Sequence, residues 1–155
     1  MNKNILFLED NINGISQLAI YLRHKGVHCE ITSDLNAWKT SIQKYKHNDK
    51  VFDLLIIDDN LYKEDTLSKL DNPLIGTNGG SNTGSKVAKL LRSSDAPDYL
   101  KQYKNIPIII YSVHTLVQIK ANIGNLDNVF IFEKLKGEEG EEKINQKCRE
   151  ILELS

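Results

Sequence analysis

Glu9, Asp10, Asp58, Asn60, Ser112 and Lys134 are far apart along the chain, yet each stands at or just beyond the end of an apolar run. Glu9 and Asp10 follow Ile5-Leu6-Phe7-Leu8, and Asp58-Asp59-Asn60 follow Leu54-Leu55-Ile56-Ile57. Ser112 closes the run that begins at Ile106, and Lys134 comes just after Val129-Phe130-Ile131-Phe132. Grouped carboxylates supply hard oxygen ligands for Mg²⁺, which takes octahedral oxygen coordination and keeps some of its waters. Asp10 and Asp58 are the expected direct ligands. Glu9 would act through a water or a hydrogen bond, and the backbone carbonyl of Asn60 would complete the protein's share. With a cation screening its charge, a carboxylate can attack phosphorus and become an acyl phosphate, which makes Asp58 the candidate nucleophile. Lys134 would meet the phosphoryl oxygens as a point charge, and the Ser112 hydroxyl would donate a hydrogen bond to one of them.

For these side chains to meet, the runs before them must be neighbouring strands. Four runs are continuously apolar rather than alternating, as strands covered on both faces require: 5–8, 54–57, 106–110 and 129–132. A weaker strand at 27–32 alternates and suits a sheet edge. Helical spacing separates them: Ile15, Leu18, Ala19 and Leu22; Leu35, Trp38, Ile42 and Tyr45 after Asp34 as N-cap; Val87, Leu90 and Leu91; Leu116, Ile119 and Ile123; Ile144, Cys148, Ile151 and Leu152. Five β-α units imply a parallel five-stranded sheet with helices on both faces and right-handed crossovers, a flavodoxin-like doubly wound (βα)5 fold. Such sheets bind ligands outside the carboxyl ends of their strands, where the six residues fall. Segment 61–84 breaks the rhythm with several Gly and Asn residues. It is expected to be a long loop inserted between the third strand and third helix. Loops beyond about 12 to 15 residues are functional or disordered, and a lid over Asp58, a docking element and a disordered loop all remain open.

The 155 residues suit one domain spanning 1–155. A net charge of -1 without long blocks of one sign points to a protein or small-molecule partner rather than nucleic acid or a membrane surface. The first apolar run is too short for a signal peptide, and no run approaches the roughly 20 residues that cross a bilayer, so a cytoplasmic location is expected. Cys29 and Cys148 are expected to be reduced thiols. Asp59 reads as a solvated loop acid or a second acceptor beside Asp58, and His114, two residues after Ser112 near the site mouth, as a group that influences attack of water on the acyl phosphate or as an exposed histidine with no role. Residues 79–86 superficially match a phosphate-binding loop, but the order Gly84-Ser85-Lys86 is inverted. A helix N-cap at Thr83 or Ser85 is the better expectation. Trp38 and Tyr45 are packing residues, and 138–143 is a solvated helix start.

The pieces Ile5-Leu6-Phe7-Leu8-Glu9-Asp10-Asn11, Phe52-Asp53-Leu54-Leu55-Ile56-Ile57-Asp58, Pro107-Ile108-Ile109-Ile110-Tyr111-Ser112 and Phe132-Glu133-Lys134 occur in the order of a known family. Together they resemble the receiver domain of bacterial response regulators over nearly the whole chain. The resemblance implies Mg²⁺ bound by Glu9, Asp10 and Asp58, phosphorylation of Asp58, and sensing of the phosphoryl group by Ser112 and Lys134. It also implies a histidine kinase or histidine phosphotransferase as donor. A downstream protein would read the face formed by 113–123 and Ile131. The protein would then be a signalling switch rather than an enzyme with a separate substrate, its output a protein contact or onward phosphotransfer. Three departures stand out. Leu135 replaces the family's proline, and without proline a cis bond costs about 2.5 to 4 kcal/mol, so the Lys134 loop is expected to sit differently. Val113 replaces a small residue and narrows access to Asp58. Ile131 stands where the family often has a switching aromatic, for which Phe130 and Phe132 point to the wrong face. The alternative is a pseudo-receiver acting as a phosphorylation-independent docking module. An aspartyl phosphatase of the haloacid dehalogenase type is disfavoured, because Glu9-Asp10-Asn11 lacks the Asp-x-Asp motif.

Overall fold

The computed structural model describes residues 2–62, 64–134 and 138–155. In chain order its elements are β1 (Asn4–Leu8), α1 (Ser16–His24), β2 (His28–Thr32), α2 (Leu35–His47), β3 (Leu54–Ile57), β4 (Thr66–Leu67), β5 (Asn72–Gly76), α3 (Thr83–Arg92), β6 (Ile108–Ser112), α4 (Leu116–Ile123), β7 (Val129–Glu133) and α5 (Glu138–Leu152). Five strands form one parallel sheet in the order β2-β1-β3-β6-β7. This is the flavodoxin-like α/β arrangement.

Alternation along the central strands divides the core in two. Leu6, Leu8, Leu55, Ile57, Ile108 and Ile110 face α2 and α3, where Trp38, Ile42, Val87 and Leu91 complete one cluster. Ile5, Phe7, Leu54, Ile56, Ile109 and Tyr111 face α1 and α5 and meet Leu18, Leu22, Ile144 and Cys148. The runs in β1, β3 and β6 are apolar throughout because both their faces are covered. The run at 129–132 departs from that expectation, since β7 is an edge strand and half-buried along its length. The strand expected at 106–110 lies two residues further on, at Ile108–Ser112. Pro107 has no N–H to give the ladder and contributes only its carbonyl, which accepts from the Leu55 amide at 3.1 Å.

The segment expected to be a structureless loop is instead built around a hairpin. β4 and β5 pair antiparallel through an irregular register, and the hairpin packs on α2 and α3. Leu67 and Leu70 enter the core. Buried Glu64 accepts hydrogen bonds from the Leu35 amide (3.2 Å) and Lys69 (3.0 Å), tying the segment to the start of α2. Lys39 and Asp71 pair at 3.0 Å on the outside. Little of this shows as periodicity, because the strands are short and β5 is largely exposed. The helix after it begins at Thr83, inside the expected loop. Neither expected side-chain cap forms: the N-cap is Asn82, Thr83 donates to the Gly80 carbonyl, and Ser85 is engaged elsewhere.

Cys29 and Cys148 are buried free thiols in the α1/α5 core. Burial pushes Cys29 up to about 11, and burial beside Cys29 pushes Cys148 up to about 12. A thiol whose folded pKa is raised contributes stability below its unfolded value and loses it as the pH climbs through the folded one. The urea midpoint is therefore expected to fall as the pH rises from 9.0 towards 11. The share of Cys29 is about 3 kcal/mol. Cys29→Ala should flatten this decline; an unchanged slope would assign it to other groups.

Candidate functional site

The main-chain ladder continues past the strand ends and fixes the residues beyond them. The Asp58 amide donates to the Leu8 carbonyl (2.9 Å), the Glu9 amide to the Thr32 carbonyl (2.9 Å), and the Lys134 amide to the Ser112 carbonyl (2.7 Å). Glu9, Asp58 and Lys134 thus emerge from three different strands at one edge. The Lys134 ammonium donates to Glu9 Oε1 and, at 3.3 Å, to Asp58 Oδ2. The Asn60 amide donates to Asp58 Oδ1 at 3.2 Å and holds the carboxylate from the other side. Asp10 lies exposed beside them, and Glu9, Asp10 and Asp58 each offer an oxygen within 4.8 Å of the others. Ser112 is fully buried, and its hydroxyl accepts the His114 amide at 3.3 Å.

Charge in this cluster is unbalanced. Among the described residues one ammonium faces two buried acids, with a third acid at the rim. Burial, then the hydrogen bond and charge of Asp58, push Glu9 up to about 8, against the pull of Lys134. Burial alone would lower Lys134, but Asp58 and Glu9 outweigh it and hold the ammonium above the ordinary lysine value. Glu9 Oε2 is buried without a hydrogen-bond partner among the described residues, and a buried carboxyl oxygen left unpaired is costly. An all-oxygen donor set, a buried acid whose ionisation is opposed by its neighbours, and an orphaned oxygen together fit a hard divalent cation of the Mg²⁺ class.

Asp59 is neither a solvated acid nor an accessible acceptor. It is fully buried, with Oδ1 accepting from both the amide and the hydroxyl of Ser85 at 2.7 Å and Oδ2 facing His114 Nδ1 at 3.1 Å. His114, expected near the site mouth with or without a role there, is held by this carboxylate. The partners are 26 and 55 residues from Asp59, so no local spacing in the sequence announces them.

The first turn of α3 presses on the loop that carries Asp58. A Cβ on Gly84 would lie 2.5 Å from the Asp58 carbonyl oxygen and 3.0 Å from the Asp59 Cα. In an ordinary helix Gly→Ala stabilises by about 1 kcal/mol. Here the sign reverses: Gly84→Ala is expected to destabilise by about 1 to 3 kcal/mol, as overpacking does, and to slow any chemistry at Asp58 by moving its backbone. Urea denaturation checks the first effect, and a stabilised variant would contradict the close approach.

No protein-family model matches the chain, and none of the curated proteins matches it. Solved structures do. The chain is similar to the chemotaxis response regulator CheY4 of Vibrio cholerae at 19% identity, over 95% of this chain and 98% of that one, with a TM-score of 0.58. It is similar to a two-component response regulator from Clostridium difficile at 16% identity, over 98% and 97% of the two chains, with a TM-score of 0.61. The signal receiver domain of an HD domain-containing protein from Pseudomonas fluorescens Pf-5 gives 14% identity, 98% and 88% coverage and a TM-score of 0.62. The chain has the receiver fold.

Against that fold the three departures can be located. Leu135 lies outside the described residues. Val113 is 66% exposed and stands on the surface beside the buried Ser112. Ile131 packs against the α2/α3 cluster while Phe130 and Phe132 pack against the α1/α5 cluster, so the two aromatics are on the opposite face of β7. On the insertion, Leu61, Tyr62 and Glu64 share a groove of about 460 Å³ with Asp10, Ser33 and Asp34. Leu61 is held by Gly80, whose φ is +87° and whose carbonyl accepts the Leu61 amide at 2.8 Å. No described helix is long and apolar enough to cross a membrane.

Proposed function

We propose that the chain, taken as one receiver domain over 1–155, is a phosphoacceptor of a two-component relay in which Asp58 accepts a phosphoryl group from a phosphohistidine donor. The observation that carries this reading is the cluster itself: among the described residues Lys134 alone bridges Glu9 and Asp58, Asp10 lies beside them, and Glu9 Oε2 is left unpaired. Glu9, Asp10 and Asp58, with the Asn60 carbonyl, would hold Mg²⁺, which when bound supplies the positive charge that lets an anionic carboxylate approach an anionic phosphoryl group. Asp58 Oδ attacks phosphorus as the donor's bond to phosphorus breaks. Lys134 then exchanges a carboxylate oxygen for a phosphoryl oxygen, and the Ser112 hydroxyl turns from accepting the His114 amide to donating to the phosphoryl group. The donor is a histidine kinase or histidine phosphotransferase.

The added charge biases a surface that a downstream protein reads. Val113, Leu116 and Val117 are exposed along α4 and the loop before it. Beside them, Leu116, Ile131 and Phe132 line a cavity of about 340 Å³ with Glu133, Gly140 and Lys143. Asp58→Asn tests the chemistry. Incubation with acetyl phosphate should give a single phosphoryl adduct by intact mass in the wild type with Mg²⁺, and none without Mg²⁺ or in the variant. A folded wild type that takes up no phosphoryl group under these conditions would favour the phosphorylation-independent docking module.

A further inference from the structure

Asp59 and His114 form a pair that phosphoryl uptake does not use. Asp59 follows the acceptor directly, is fully buried, and has both oxygens engaged. A carboxylate oxygen can only accept from the ring, so Nδ1 of His114 carries a hydrogen, and in the neutral ring the lone pair is then on Nε2. Nε2 has no protein partner among the described residues, and the side chain is 25% exposed. The His114 amide bonds to the Ser112 hydroxyl, the group that would lie against a phosphoryl on Asp58. A histidine with one nitrogen fixed by a buried carboxylate, the other free of protein partners among the described residues, and its own amide on the hydroxyl that would face the phosphoryl group has the parts of a general base, a pairing reached on unrelated folds.

We propose that His114, oriented by Asp59, takes the proton from the water that hydrolyses phosphorylated Asp58, so that the chain sets the lifetime of its own modified state. The inference rests on the phosphoacceptor reading. The water oxygen attacks phosphorus and its proton passes to Nε2. The bond between phosphorus and the Asp58 oxygen breaks, and its electron pair returns to the carboxylate. Inorganic phosphate leaves, and the imidazolium gives its proton to solvent. His114 is the catalytic residue of this step, and Asp59, held by Ser85, is its positioning residue.

The test loads the protein with acetyl phosphate and Mg²⁺, removes the donor by gel filtration and follows loss of the adduct by intact mass. The decay constant does not depend on how much protein was loaded. His114→Ala is expected to lengthen the lifetime about 100-fold, and Asp59→Asn to lengthen it as well by presenting the wrong tautomer. Added imidazole should shorten the lifetime of His114→Ala and leave the wild type unchanged, a response that a purely structural role would not give. Equal lifetimes in wild type and His114→Ala, or an imidazole effect of the same size in both, would overturn the inference while leaving Asp58 as the acceptor. A wild type that forms no adduct removes the phosphoacceptor reading and this one with it.

Discussion

Lys134→Met is expected to slow phosphoryl uptake by Asp58 about 100-fold, the size of effect seen when one preorganised donor is removed from a developing charge, and at the same time to tighten Mg²⁺ binding. The two effects have opposite signs because the ammonium occupies a shared position. It bonds to Glu9 Oε1 and to Asp58 Oδ2, with only 13% of its side chain exposed. Those oxygens are the ones a cation needs, so the ammonium competes with the metal in the resting protein. At an effective dielectric of about 20, removing one positive charge a few ångströms away changes the local energy by a few kcal/mol before screening, enough for about a tenfold gain in cation affinity. The phosphoryl group, in contrast, arrives with more negative charge and finds no ammonium to meet it. Methionine keeps the length of the stem, so cavity formation does not confuse the result. Calorimetric titration with Mg²⁺ and the initial rate of adduct formation read the two effects separately. Slower uptake accompanied by weaker Mg²⁺ binding would mean that the variant disturbs the site as a whole and that Lys134 does not compete there.

Arg92→Met is expected to destabilise the fold by about 3 kcal/mol, since four backbone carbonyls lose a charged donor at once. At the end of α3 the guanidinium donates from Nε to Asp127 (2.9 Å), from Nη1 to Tyr103 (3.0 Å), and from Nη2 to Ile106 (2.7 Å) and Asn128 (3.3 Å). Ile106 precedes β6 and Asn128 precedes β7, so one side chain joins the entries of two neighbouring strands. Burial lowers its pKa from the ordinary arginine value, against the pull of Asp127, yet an arginine keeps its charge in any folded protein. Arg92→Lys should fall between the two, because an ammonium is a point donor and cannot reach four carbonyls in a fork. The strap lies at the amino ends of the strands and the acid cluster at their carboxyl ends. Arg92→Met protein that remains folded should therefore still form the adduct. A urea midpoint within about 1 kcal/mol of wild type would show that water replaces the guanidinium without loss.

Much of this arrangement is legible in the residue types and their spacing alone. Ile5 to Leu8, Leu54 to Ile57 and Ile108 to Ile110 are apolar at every position because both faces of each strand are covered, and the acids after them mark the open edge of the sheet. Asp34 is legible as a cap for the same local reason, and its side chain accepts the Ala37 amide at 2.8 Å. Contacts between residues distant along the chain are not legible. The hairpin of β4 and β5 is held by Glu64 to Leu35 and by Lys39 to Asp71, contacts that leave no period in the sequence. Ser85 looks like a helix cap because serine is common there, but a buried aspartate 26 residues earlier claims its hydroxyl. His114 looks free for the same reason. Gly84 looks like loop flexibility, whereas its role is to let a helix approach the backbone of Asp58.

If the cluster works as proposed, Asp58 and no neighbouring acid takes the phosphoryl group. Borohydride reduces an acyl phosphate to the corresponding alcohol and so turns a phosphorylated aspartate into homoserine, which peptide mass spectrometry then locates. After incubation with acetyl phosphate and Mg²⁺, homoserine is predicted at position 58 alone. Homoserine at Asp59 or Asp10, or no homoserine in protein that carries the adduct, would rule out Asp58 as the acceptor.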